Sequence, residues 1–215
     1  MVWMEQIRAA GAGPTLATVV GSYALGCFAT GYLLVRARTG LDIREIESGS
    51  IGARNVSRVL GRTGFLLTLA GDFSKGAIAV WAAIRFTENP ALTTLAMLAV
   101  VAGHIWPAPL LFRGGKGVAT SLGGLLLFDW RLAVAYTVCF TVGLVLVRKT
   151  MLPGLVAFLC LPFTSYWLHC DAATATALCL LAAMVLFAHR RNIIDEYPAL
   201  AERHKALVKP HTLKK

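Results

Sequence analysis

The sequence predicts an all-α polytopic membrane protein of about seven transmembrane helices, with the N-terminus outside and the C-terminus in the cytoplasm. Three observations carry that expectation. Of 215 residues, 57% are hydrophobic and only 15% are charged, against about 45–50% apolar and about 25% charged in a soluble domain. The apolar residues are gathered into runs on the scale of a ~30 Å hydrocarbon core, which about 20 helical residues cross. The cations are segregated between those runs. If 36–63, 112–117, 148–151 and 189–215 share one side, that side holds 17 of the 21 Lys and Arg, and Arg8, Arg85 and Arg131 face the other way. The positive-inside rule assigns the richer side to the cytoplasm.

Residues 1–14 read as an extracytoplasmic segment. Nothing in it resembles a cleavable signal peptide: Glu5 and Arg8 lie there, and the first apolar run lacks a charged n-region and a small-residue cleavage site. Spans follow near 15–35, 64–84, 91–111, 118–129, 132–147, 152–168 and 172–188, within one membrane-embedded domain over 15–195. The fourth is short, so it is either tilted or partly re-entrant under a cover of protein. Residues 196–215 form a basic cytoplasmic tail. An odd number of spans puts the termini on opposite sides. The net charge of +10 follows from the loops, and attraction to anionic lipid accounts for part of it. Cys27, Cys139, Cys160, Cys170 and Cys179 show no paired or metal-type spacing. They read as small hydrophobes.

Three polar segments, all on the basic side, could carry chemistry. Glu47–Asn55, followed by Arg58, contains Ser48, Gly49, Gly52 and Arg54, and small residues of this kind let backbone N–H groups turn inward around an anion. Arg54 and Arg58 would add charge-assisted contacts to phosphate oxygens; the plainer reading is a solvated loop. The second segment runs from His104 through Arg113-Gly114-Gly115-Lys116-Gly117 to Thr120. Opening an apolar helix, it can present free amides and a positive dipole end to an anion, or it is a simple turn between helices. It is not a Walker A loop, because Leu110 stands where the first glycine would be and no strand precedes it. The third segment, His189-Arg190-Arg191-Asn192, ends the last span and suits a membrane-border anchor as well as a site. Asp72 and Lys75, three apart within the second span, are costly at that depth. They are either a structural ion pair or direct substrate ligands.

In order along the chain, Gly21-Ser22, Leu41-Asp42-Ile43-Arg44-Glu45, Ser48-Gly49-x-Ile51-Gly52-Ala53-x-Asn55, Asp72-x-x-Lys75-Gly76, the His104–Gly123 stretch and His189-Arg190-x-Asn192-Ile193 resemble the bacterial acyl-phosphate:glycerol-3-phosphate acyltransferase family, the small integral-membrane PlsY type. The resemblance covers about residues 20–195. It is most specific at His104-x-x-Pro107 with Phe112-x-Gly114-Gly115-Lys116-Gly117-Val118-Ala119-Thr120. It implies acyl transfer from acyl phosphate to the 1-hydroxyl of glycerol 3-phosphate, in the bacterial inner membrane with the active face cytoplasmic. Lysophosphatidic acid and phosphate would be the products, with no cofactor, no metal and no nucleic acid.

Carried over residue by residue, the resemblance gives catalytic roles to Ser48, Arg58, His104 and Asn192. It adds substrate contacts at Asn55, Gly114, Gly115, Lys116, Gly117 and His189, and the reading of the residues themselves adds Gly49, Gly52, Arg54, Asp72, Lys75 and Arg113. A phosphate oxygen of the donor could take the hydroxyl proton, and His104 is the alternative base. The chain departs from the family pattern at Ser50, Arg54 and Arg191, where Asn, Thr and Glu are expected, and in the serine-poor loop 148–154. A small anion transporter would use the same basic face, but the paired broken helices and inverted repeats of that class are not visible. A third possibility is a catalytically weak relative acting as a membrane interaction protein.

Overall fold

The computed structural model describes residues 2–169 and 171–208, with side chains for 3–169 and 171–194. Its α-helices are α1 (Val2–Ala10), α2 (Ala12–Gly26), α3 (Thr30–Thr39), α4 (Ala53–Thr87), α5 (Pro90–Ile105), α6 (Val118–Phe128), α7 (Trp130–Val147), α8 (Met151–His169) and α9 (Ala172–Val208). Six stretches are long and apolar enough to cross a membrane: Ala12–Thr39, Ala53–Thr87, Pro90–Leu110, Trp130–Val147, Met151–His169 and Ala172–Ile194. α6 is the short apolar seventh. The expected polytopic α-helical architecture is therefore the observed one.

The structure refines the sequence reading in four places and departs from it at the first two spans. The first span is not continuous: Cys27–Ala29 interrupts it between α2 and α3. α4 begins well before residue 64, because 53–60 form a helical segment set off from the span by a kink at Gly61 (φ 62°). A helix, α1, occupies the segment read as an extracytoplasmic stretch. α6 has 11 residues and so reaches only about 16 Å at 1.5 Å per residue. It packs against α4, α5 and α7, which covers its backbone and recesses the loop before it into the bundle. Of the expected tail 196–215, the backbone to Val208 continues α9, and its side chains and residues 209–215 lie outside the described residues.

Local chemistry starts and stops these helices. Asn89 accepts from the amides of Ala91 (3.0 Å) and Leu92 (3.3 Å), with Pro90 in the first helical position, where its missing N–H costs nothing. Asp129 caps α7 through the Arg131 amide (3.0 Å), and Asp171 caps α9 through Ala173 (3.0 Å) and Thr174 (3.1 Å). Gly40 closes α3 in the left-handed conformation.

α5 is the central pillar. Twelve of its 16 residues are buried, and Met97, Val100 and Val101 share one apolar core with Val80 of α4, Leu125 of α6, Phe158 of α8 and Leu181 and Val185 of α9. Glycines set the closest crossings. A side chain at Gly26 would overlap the Val100 carbonyl, one at Gly76 the Thr120 carbonyl, and one at Gly123 the Phe73 carbonyl. Between membrane helices, such small residues let backbones touch and gain van der Waals contact. The α2–α5 and α4–α6 pairs are fixed in this way, and with them the loops at their ends.

Candidate active site

The polar segments converge at one end of the bundle. Three side-chain contacts tie them together: Arg44 Nη1 donates to the Leu110 carbonyl (2.9 Å), Arg54 Nη1 to Thr150 Oγ1 (3.0 Å) and Lys116 Nζ to Asn192 Oδ1 (2.7 Å). Residues up to 96 positions apart thus share one surface.

The loop before α4 is shaped from within. Asp42 accepts the Arg44 amide (2.9 Å) and pairs with its guanidinium (2.6 Å), and this bonding holds the Asp42 carboxyl below its ordinary range in spite of partial burial. Arg44 lies over the Tyr32 ring, 5.2 Å from its centroid, on its way to Leu110. Asn55 is buried, and its amide serves the carbonyls of Ile43 (3.2 Å), Ile46 (2.9 Å) and Ser50 (2.9 Å). Its side chain is consumed in building the loop. Asn55 Oδ1 also accepts from Arg58 Nη1 (3.3 Å), which pairs with Glu47 at 3.2 Å. With side chains 43% and 62% exposed, the Glu47–Arg58 pair is worth little and yields readily to a better anion. Ser48 is exposed beside it.

In the glycine-rich loop, the amides of Gly114 and Gly115 are not free for an anion. They donate to the carbonyls of Ile105 (3.2 Å) and His104 (3.0 Å). A Cβ on Gly114 would overlap the His104 carbonyl, and one on Gly115 would overlap the His104 ring. These glycines are required by that close packing. Gly117, at φ 84°, turns the chain into α6, whose first-turn amides have no intrahelical partner. The part of the segment still able to face an anion is therefore Lys116 with the start of α6. Arg113 is exposed at the loop's edge. Tyr23 Oη donates to the Trp106 carbonyl (2.7 Å) and pins the entry to the loop.

From α9, Asn192 reaches Lys116, whereas His189 is buried and bonded through Nδ1 to the Val185 carbonyl (2.8 Å). Arg190 lies over the Phe187 ring at 4.1 Å and donates to the Phe187 carbonyl, as an anchor does. Asp72, Lys75 and His104 form a separate buried group. Lys75 Nζ is 3.0 Å from Asp72 Oδ1, 2.7 Å from His104 Nδ1 and 2.9 Å from the Phe28 carbonyl. The ion-pair reading of Asp72 and Lys75 is the one realised in this geometry.

The electrostatics point one way. Burial pushes the Lys116 ammonium below its usual pKa, and the like charges of Arg54 and Arg58 push it further. Lys116 thus lies close enough to Arg54 and Arg58 to feel both charges, and a cluster of like cations attracts anions. Sequence reasoning passed over Tyr23, Arg44 and Thr150 as parts of this site. The Asp42-x-Arg44 spacing offered a weak signal for Arg44; Tyr23 and Thr150 offered none, since their contacts are purely tertiary.

A family profile described as glycerol-3-phosphate acyltransferase matches residues 16–196. The chain belongs to the glycerol-3-phosphate acyltransferase family. It is 44% identical over 187 residues to glycerol-3-phosphate acyltransferase 1 of Desulfitobacterium hafniense (strain Y51), covering 87% of this chain and 93% of that one. It is 39% identical over 176 residues to the enzyme of Geotalea daltonii, covering 81% and 90%. Among solved structures, it resembles PlsY, an integral membrane glycerol 3-phosphate acyltransferase, in its glycerol 3-phosphate form, with a TM-score of 0.80 at 28% identity over 87% of this chain and 94% of that one. The lysophosphatidic acid form gives 0.76 at 27% identity, over 87% and 93%. The acyltransferase fold thus carries the basic cluster of Arg54, Arg58 and Lys116, with Asn192 accepting from Lys116.

Proposed function

We propose that this acyltransferase uses acyl phosphate as donor and acylates the 1-hydroxyl of glycerol 3-phosphate, at the cytoplasmic face of a bacterial inner membrane. The observation that carries this reading is the convergence of Arg54, Arg58 and Lys116, with the Lys116 ammonium depressed by burial and by those two neighbours. Both reactants are phosphate anions, and such a cluster binds and aligns them.

The chemistry asks little more of the protein. Acyl phosphate is a mixed anhydride, so no covalent nucleophile is needed. The glycerol oxygen attacks the acyl carbon, the bond from that carbon to the phosphate oxygen breaks, and the hydroxyl proton passes to the departing phosphate. Charge moves onto phosphate as it leaves. In this reading Arg58, the Ser48 hydroxyl and the amides opening α6 stabilise that charge, as preorganised donors do. Lys116, oriented by Asn192, holds the acceptor phosphate, and proximity supplies much of the remaining acceleration. His104 lies behind the glycine loop, buried against Lys75, so it supports the site from below and the proton goes to phosphate.

The test is an assay of the purified protein in detergent. Phosphate release from acyl phosphate is expected only when glycerol 3-phosphate is present, and acyl-CoA is not expected to replace the donor. Turnover with acyl-CoA alone, or release without the acceptor, overturns the reading.

A further inference from the structure

The buried Asp72–Lys75–His104 group has no path to solvent comparable with that of the basic cluster. The side chains of Asp72, Lys75 and His104 are 4%, 3% and 3% exposed. Their placement is nevertheless specific. Lys75 rises from α4 and donates to the carbonyl of Phe28, in the break between α2 and α3. A broken span leaves backbone carbonyls without helical partners, which is costly in a membrane interior. Lys75 satisfies one of them. Its other close contact is His104 Nδ1 at 2.7 Å, and Asp72 neutralises it as an ion-pair partner at 3.0 Å. His104 in turn presents its carbonyl to the Gly115 amide (3.0 Å), and its ring fills the space beside Gly115. One ammonium therefore links the broken first span, α4 and the floor of the glycine loop.

We propose that Lys75 is a positioning residue that sets the glycine loop against the broken first span and locks His104 as a neutral imidazole bearing its proton on Nε2. A proton on Nδ1 would have to point at an ammonium 2.7 Å away, while the Asp72 carboxylate lies farther off, at 3.6 Å. The Nδ1 lone pair faces Lys75, so the ring is a donor at Nε2 and has no free basic nitrogen. His104 therefore acts as a brace under Gly115. Lys116 follows that glycine directly, and the ammonium that holds the acceptor phosphate takes its position from this brace. The inference rests on the acyltransferase reading for its kinetic consequences and on geometry alone for the tautomer.

Two measurements test it. Protein labelled with 15N-histidine, in detergent at neutral pH, is compared with the His104→Asn variant to identify the His104 signals among five histidines. The expected pattern is an unprotonated Nδ1 with hydrogen-bonded character and a protonated Nε2. An Nδ1–H tautomer or an imidazolium overturns the proposal, whether or not the protein proves to be an acyltransferase. The second measurement uses Asp72→Asn/Lys75→Met, which removes both charges together so that neither is left buried and unpaired. KM for glycerol 3-phosphate should rise about tenfold, the scale of one charged hydrogen bond, with kcat within about threefold. A fall in kcat at unchanged KM overturns the positioning role. If the double variant does not fold, the tautomer in the parent protein still decides. If the parent shows no acyl transfer while the tautomer is as expected, the functional reading fails and the lock stands.

Discussion

At the scale of single residues, charge geometry separates the groups open to an anion from those that build the loops around them. Arg58 is half-exposed, lightly held by Glu47 and Asn55, and set near Lys116. Its planar fork suits phosphate oxygens in a way that an ammonium does not. Arg58→Lys is therefore expected to lower kcat/KM about tenfold to a hundredfold, the equivalent of losing about 1.5–3 kcal/mol of charge-assisted bonding. Ser48→Ala should cost a similar or smaller factor. Parental turnover in both variants, once each is shown to insert and purify normally, would remove these residues from the site. Lys116 gives a pH signature. Its folded pKa is lowered from 10.5 by burial and by Arg54 and Arg58, so its charge, and with it anion affinity, is complete below that lowered value and is lost as pH rises through it. KM for glycerol 3-phosphate should therefore climb in the alkaline range before an exposed lysine would titrate. Lys116→Arg should flatten that climb, because a guanidinium stays charged throughout. An identical alkaline limb in the two proteins would show that another group is responsible.

At the scale of elements, the site depends on how closely α4 and α6 approach. Gly76 and Gly123 meet backbone carbonyls of the facing helix, and no flexible side chain there can move aside. Gly76→Ala should destabilise the protein by about 1–3 kcal/mol, the usual penalty for overpacking, and lower its thermal midpoint in detergent. Gly21→Ala, on an open face where nothing lies within 4 Å, should leave the midpoint unchanged or slightly raised. Equal midpoints for the two variants would show that the crossing is loose. Helix identity was legible here because the apolar runs are on the scale of a membrane crossing and are set apart by polar, cation-bearing loops. The break at Cys27–Ala29 was not legible. No proline or charge marks it, and Lys75, 47 residues away from Phe28, supports it by donating to the Phe28 carbonyl.

At the scale of the whole molecule, both ends of the bundle are polar but their characters differ. One end carries the basic loops bridged by Arg44, Arg54 and Lys116. The other carries the helix caps and a cavity of ≈ 900 Å³ lined by residues such as Glu88, Asp129, Trp130 and His169. The positive-inside rule gives the first end to the cytoplasm. In a cysteine-free background, Glu88→Cys is expected to react with an impermeant thiol reagent in intact cells and Ser57→Cys is not. The reverse pattern would invert the proposed orientation and move the site away from the cytoplasm.

The sequence by itself determined that this chain is a helical membrane protein with its cations on one side, because hydropathy and charge placement act residue by residue and need no partner. Motif order also identified the residues that gather in the basic cluster. Only the tertiary structure decided what each of them contacts. Asn55, Gly114 and Gly115 were read as substrate ligands, yet their polar groups are spent on neighbouring carbonyls. Asp72 and Lys75 became an internal clamp, and Tyr23 and Arg44 emerged as supports for a loop 66 to 83 positions away. The physical reason is that a buried polar group must find a partner wherever the fold provides one. That partner is set by helix crossings, and spacing along the chain does not reveal it.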